Sequence, residues 1–203
     1  MTRLSRAESQ AITRQRLLRA ARELFRRDGY AATTVERIAA TAGFSKGAVY
    51  SNFEDKESIL LSVVEAQGQE GLNELIAKLG EAEDDLAVIE ALAAWADATS
   101  RSGSWSLTIL EHARLVGPQG ASLKRQEEVI RGHWRRLGDY LLTRFPAIDS
   151  DGETLGALLH EIAYAPAMTL VRRPTAADLM RLALHSLLCS GAEAAAEVRR
   201  ASR

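Results

Sequence analysis

Apolar residues recur at the 3.6-residue spacing of an amphipathic helix along nearly the whole chain, and no stretch sustains the alternation of a half-buried strand. That periodicity rules out a sheet as the organising layer and predicts an all-α fold. The first helix, at about 9–27, puts Leu17, Leu18, Ala21, Leu24 and Phe25 on one stripe and ends at Asp28-Gly29, where the glycine suits a C-terminal cap. Thr33 stands three residues before Glu36, the spacing at which a hydroxyl and a carboxylate satisfy the first free amides of a helix. A short helix to about Thr41 follows from it. Ala42-Gly43-Phe44 breaks the pattern, and Ser45 caps a second short helix through Ser51. Two short helices about a glycine-containing turn form a helix-turn-helix signature. Asp55 then caps a long helix whose buried stripe is Ile59, Leu60, Val63, Val64, Leu75, Ile76 and Leu79.

Further helices are predicted at about 85–100, 104–116, 119–144, 150–171 and 175–190. Ser150-x-x-Glu153 and Thr175-x-x-Asp178 start the last two, with Arg172-Arg173-Pro174 as the corner between them. The Ala/Glu/Arg-rich stretch from Ala192 onward is expected to fray. A chain of 203 residues holds one large or two small compact units.

Charge is unevenly spread. Residues 1–60 hold 11 of the 26 Lys and Arg but 7 of the 27 Asp and Glu, so this end is +4 and the remainder, 15 against 20, is −5. A basic segment in a chain of net charge −1 points to a polyanion at that end, although a basic helix face also occurs without function. Cys189 is the only cysteine, which excludes an intrachain disulfide; among Leu187, Leu188 and Ser190 it reads as a small packing residue rather than a redox sensor. No apolar run approaches the roughly 18–20 residues that span a bilayer, and MTRLSRAESQ lacks the apolar stretch of a secretion signal. A cytoplasmic protein without membrane contact is the expectation.

Winding Ser45–Asn52 at about 100° per residue puts Lys46, Gly47 and Tyr50 on one side and Ala48, Val49 and Asn52 largely on the other. The apolar side packs, and the other faces out, as a helix entering a major groove of about 12 Å width would require. Glycine in mid-helix costs roughly 1 kcal/mol against alanine. The missing side chain at Gly47 lets the backbone approach a partner closely.

The run Thr34-Val35-Glu36-Arg37-Ile38-Ala39, with Ala42-Gly43-Phe44-Ser45-Lys46-Gly47-Ala48-Val49-Tyr50-Ser51-Asn52-Phe53 and Lys56-Glu57, strongly resembles the tetracycline-repressor (TetR) family of bacterial transcriptional regulators over roughly 10–60. It departs from the common pattern at Asn52, where His is frequent, and at Ser51, where a basic or large residue is frequent. The resemblance implies a three-helix DNA-binding domain at 10–57, followed at 58–203 by a helical ligand-binding and dimerisation domain. Carried over by position, Lys46 and Gly47 meet base edges, while Tyr50, Asn52 and Lys56 meet phosphates; Ser45 and Ser51 complete the candidate DNA-binding set. Thr33 or Thr34 holds a phosphate at the first short helix, with simple capping as the equal alternative. Phe44 and Phe53 are assigned to the core. The arginines at 3, 6, 14, 16, 19 and 22 read either as an arm reaching DNA or as a solvated helix face.

The resemblance also implies a homodimer on double-stranded operator DNA, released by a small hydrophobic effector, and it favours a repressor over an activator. In that family the last two helices meet their twins as a four-helix bundle; here Leu155, Leu158, Leu159 and Ile162 on one, and Leu179, Leu182, Ala183 and Leu187 on the other, supply that face or an internal core. For the effector, Trp105, Ile109 and His112 on one helix, Trp134 on another, and Tyr164 and Met168 on a third are the candidate lining, against the plainer reading of ordinary core. No glycine-rich phosphate loop, nucleophile elbow or zinc-protease motif is present, and the four histidines lack metal-ligand spacing, so no enzyme, cofactor or metal is expected. A helical small-molecule-binding protein or enzyme without DNA binding is the competing class.

Overall fold

The computed structural model describes residues 5–101, 104–117, 121–169 and 173–201, without the side chains of 104–106, 121–122, 167–169 and 190–201. Among the described residues it is all-α, with α1 Arg6–Ala32, α2 Val35–Ala42, α3 Lys46–Tyr50, α4 Lys56–Gly80, α5 Asp85–Arg101, α6 Ser104–Val116, α7 Ala121–Arg144, α8 Gly152–Thr169 and α9 Ala176–Ala201. None of the helices searched is long and apolar enough to cross a membrane.

The helix starts follow local capping chemistry, with some shifts from the sequence reading. α1 begins earlier than expected because Ser5 and Glu8 form a reciprocal capping box. It also continues past Gly29, which interrupts it at φ 79°, ψ 177° instead of ending it. Thr34, not Thr33, caps α2 by accepting from the Arg37 amide. Asp55 and Ser58 pair reciprocally before α4, as Thr175 and Asp178 do before α9. At α8 the cap is Asp151, which takes the Thr154 amide and hydroxyl, while Glu153 turns to Arg131 and Arg135 on α7. Pro166 lies inside α8. The tail expected to fray from Ala192 is helical to Ala201, and the first residue of the Arg172-Arg173-Pro174 corner lies outside the described residues.

The chain forms two compact units, Met1–Gln67 with Ser104–Glu127 and Gly68–Gly103 with Glu128–Arg203. The sequence reading divides the chain at 57–58; by packing, the first unit also takes in α6, which lies against α1. The core of this unit is Leu17, Ala21, Leu24, Phe25, Ile38, Val49, Phe53, Ile59, Leu60 and their neighbours, and Phe44 packs partly buried against it. In the second unit α5 packs on α8 and α9, around Leu92, Leu141, Leu155, Leu159, Met180 and Leu184. Leu158 and Leu182 of α8 and α9 remain exposed, 41% and 66%. Cys189, expected to pack, is exposed too, because it follows Leu188 off the buried stripe of α9.

Candidate nucleic-acid interface

Between α2 and α3 the chain turns through Gly43 in the left-handed region, φ 75° and ψ 32°, where a side chain would clash with its own backbone. Its amide closes α2 on the Ala39 and Ala40 carbonyls. Ser45 then caps α3 by accepting from the Ala48 amide at 3.2 Å. Val35, Ile38, Ala39, Ala42, Val49 and Phe53 are buried, which fixes the rotation of both helices against α1. Ser45, Lys46, Gly47, Tyr50 and Ser51 consequently lie together on the exposed side, as winding a helix from Ser45 requires. Ala48 and Asn52 are half-buried.

Three expected contacts look different in the structure. Thr33 is fully buried, with its hydroxyl donating to the Gly29 carbonyl at 2.8 Å, so its side chain is turned away from any phosphate. Thr34 is exposed, and its hydroxyl accepts the α2 amide. Lys56 points inward: its ammonium donates to the Tyr30 and Thr33 carbonyls, both at 3.0 Å, and lies 4.0 Å from the Tyr30 ring centroid. Burial pulls the Lys56 pKa below the ordinary lysine value, and Glu111 pushes it back up. Lys56 therefore braces the end of α1 with donors that the sequence reading assigned to DNA.

Arg14 performs a similar bracing role. Its guanidinium donates to the Asn52 carbonyl at 2.8 Å and to Ser62 Oγ at 3.1 Å, and covers the Phe53 ring at 4.2 Å. Arg16 lies over Phe44 at 5.0 Å. Two of the arginines read as an arm or a solvated face thus pin the recognition segment to α1. The Asn52 amide donates to the Ala48 carbonyl at 2.8 Å, and Ser51 Oγ donates to the same carbonyl at 3.0 Å. Asn52 Oδ1 is buried without a hydrogen bond.

At the exposed edge, Lys46 forms an ion pair with Glu36 on the first turn of α2, and its ammonium lies 5.7 Å from the Tyr50 ring centroid. The Lys46 hydrogen bond holds the Glu36 carboxyl at about 2, well below the usual range. Behind α2, Asp28 takes Arg27 and Arg37, which lower its pKa to about 2, Arg27 contributing most. Gly47 stands out for what it lacks. A Cβ built there meets nothing nearer than Ser45 Oγ at 3.7 Å, an ordinary contact, and its φ lies outside the left-handed region.

The far end of α1 is tied to α6. The Tyr30 amide donates to Glu111 Oε2 at 2.7 Å, and Thr108 Oγ1 donates to the Phe25 carbonyl at 3.2 Å. A side chain at Gly29 would meet that carboxylate at 2.8 Å, in addition to the strain of φ 79°. Phe25, Arg26, Gly29, Leu107, Thr108 and Glu111 line an open groove of about 340 Å³ there. His112 is wholly buried, edge-on to Tyr30 at 4.8 Å, with Nε2 3.5 Å from Glu57 Oε1 and no hydrogen bond to either ring nitrogen.

The expected effector lining is distributed over both units. Ile109 and His112 belong to the first unit. In the second, Trp134 and Tyr164 flank His160, with ring centroids at 5.5 and 4.1 Å. Trp134 Nε1 is buried there without a hydrogen bond, His160 Nδ1 lies 3.5 Å from Glu161 Oε1, and burial lowers the His160 pKa while Glu161 pushes it back up. The side chains of Trp105 and Met168 lie outside the described residues. Sequence reasoning passed over His160, whose i, i+4 spacing to Tyr164 was the available signal. It read Glu36 only as a capping carboxylate, not as the partner of Lys46, and it gave no sign of Glu111, because both partners come from other helices.

Residues 17–63 match the family described as bacterial regulatory proteins, tetR family. Over 74 residues, 36% of this chain and 24% of the relative, the sequence is 39% identical to the uncharacterized HTH-type transcriptional regulator YerO of Bacillus subtilis. Over 134 residues, 66% of this chain and 64% of the relative, it is 28% identical to the HTH-type transcriptional repressor AcnR of Corynebacterium diphtheriae. The chain thus spans less than two thirds of either curated relative. Its fold is shared with the transcriptional regulator FadR of Bacillus subtilis, solved in complex with stearoyl-CoA, at TM-score 0.62 and 19% identity over 87% of this chain and 98% of that one.

Proposed function

We propose that this chain, whose residues 17–63 match the tetR family of bacterial regulatory proteins, works as a member of that family: it represses transcription as a homodimer on a pseudo-palindromic operator and is released by a small hydrophobic effector. The observation that carries the DNA-binding reading is Gly47. Its conformation and surroundings both accept a side chain, yet the chain carries the most helix-disfavouring residue but proline on an exposed helix face. What excludes a side chain there is then external, a surface that the α3 backbone meets closely. Lys46 and Gly47 face the base edges, with Ser45 and Ser51 beside them on the exposed side, and Tyr50 and Thr34 face the phosphates, whereas the Asn52 amide is spent on the Ala48 carbonyl. Thr33 and Lys56 hold the scaffold from within.

Two copies join through α8 and α9, whose exposed Leu158 and Leu182 remain after Leu155, Leu159, Met180 and Leu184 have filled the core of one chain. In that dimer the recognition helices are spaced about one DNA turn, roughly 34–36 Å. The domain at 58–203 takes the effector, for which Trp134, His160 and Tyr164 supply aromatic walls and the Trp134 indole N–H a buried donor without a partner. An apolar effector agrees with the stearoyl-CoA held by the FadR neighbour, and repression with the name of the AcnR relative. Effector acts by its differential affinity for the two states, so operator weakens effector binding by the same factor.

Lys46→Ala and Tyr50→Ala test the reading. Each is expected to lose operator binding while circular dichroism and melting temperature stay unchanged, since both side chains are exposed. Retained binding in both variants refutes the assignment of α3.

A further inference from the structure

Glu36 has a place in the fold, in the first turn of α2 where a carboxylate suits the free amides, and the described structure also sets it against the exposed face of α3. The carboxylate is exposed, 58% for its side chain, and projects from the first turn of α2 onto the Lys46 ammonium, itself 52% exposed. Its own amide and the Thr34 side chain also hold it at the start of α2, but the Lys46 hydrogen bond is the largest influence on the carboxyl, and Thr34 itself takes the Arg37 amide. Resting on the reading of α3 as the DNA-contacting helix, we propose that Glu36 is a specificity-determining residue: it sequesters Lys46 from indiscriminate phosphate contact and yields it only where operator bases compete for it.

Relative magnitudes favour this role. An exposed ion pair is weak, so releasing Lys46 costs roughly 1.4- to fivefold in affinity at every DNA site. A phosphate interaction made by a flexible lysine is of similar size and is available everywhere, so the two nearly cancel on random sequence. A well-placed contact to a guanine edge discriminates by about five- to 150-fold and exceeds the cost. Once Lys46 leaves, the bare carboxylate also faces the polyanion, which further penalises sites that offer Lys46 nothing. The Glu36 carboxyl, held at about 2, stays ionised at any pH where the protein would meet DNA.

The test compares full-length wild type with Glu36→Gln, which keeps the shape and removes the charge, on a selected palindromic duplex and on a random-sequence duplex of equal length, over a salt series. The expected result is about two- to fivefold tighter binding to the random duplex. The salt slope on that duplex steepens by about 0.9 for each released Lys46 that takes a phosphate, and affinity for the palindrome changes less. In a Lys46→Met background the Glu36→Gln effect is expected to vanish. Unchanged random-duplex affinity overturns the proposal. So does an equal effect in the Lys46→Met background, which indicates net charge alone, or a selective loss on the palindrome, which indicates that Glu36 itself reads a base. A readout without DNA separates this failure from failure of the DNA-binding reading: Lys46→Met must raise the Glu36 carboxyl midpoint in a carbon-13 titration.

Discussion

Gly47→Ala separates stability from function at a single methyl group. The new Cβ meets only Ser45 Oγ, at 3.7 Å, so there is no steric cost, and replacing glycine in an exposed helix gains up to about 1 kcal/mol. α3 has only five helical residues and Gly47 is its second, which places the gain at the lower end, near 0.5 kcal/mol. For a chain of this length the melting temperature is expected to rise by about 1–2 °C. Binding goes the other way. A methyl wedged between the α3 backbone and the groove floor displaces the neighbouring base contacts, each worth about 1–3 kcal/mol, and a dimer suffers this twice. Operator affinity falls by at least about 30-fold. The assay pairs thermal unfolding by circular dichroism with fluorescence anisotropy on a labelled duplex. A destabilised variant would show that the fold requires the glycine, and wild-type affinity would show that nothing approaches it; either result overturns this role for Gly47.

Other expectations follow from the internal braces. Lys56→Met leaves the Tyr30 and Thr33 carbonyls without their donor and is expected to cost about 1–3 kcal/mol in urea unfolding; a salt slope of DNA binding reduced by about 1 would instead restore Lys56 as a phosphate contact. Glu111→Ala removes the acceptor of the Tyr30 amide, so hydrogen exchange at that amide should accelerate, and unchanged protection would contradict the tie between α1 and α6. Asp28 has a folded pKa depressed to about 2 by Arg27 and Arg37, so its contribution to stability is present above the ordinary aspartate value of 3.8 and is lost as pH falls through about 2. Arg27→Ala should move that midpoint upward in a carboxyl titration, and a midpoint already at the ordinary value in wild type would disprove the pairing. Leu158→Glu with Leu182→Glu should yield a monomer in sedimentation, whereas an unchanged assembly would place the interface elsewhere.

The helices were legible because their apolar stripes and caps are local: Leu17 through Phe25, the Gly43 turn and the Thr175–Asp178 pair depend on neighbours within four residues. The outward set of Lys46, Gly47 and Tyr50 was legible for the same reason, since helical winding alone separates it from Val49. The roles of Thr33 and Lys56 were not, because they depend on carbonyls freed where Gly29 breaks α1. A threonine and a lysine near a basic surface look the same in sequence whether they bond outward or inward. Glu111 and His112 were equally hidden: their partners Tyr30 and Glu57 are 81 and 55 residues distant, and no periodicity reports such a meeting.

Whether the α3 face reads a duplex as part of a two-fold dimer is decided by selecting bound duplexes from a random pool with purified protein. The retained sequences are then measured across a salt series together with binding stoichiometry. A two-fold reader is expected to recover an inverted repeat with half-sites about one turn apart, bound by two chains per site, with a linear fall of log affinity with log salt. Recovery of unrelated sequences bound by single chains, or of none, would overturn that reading.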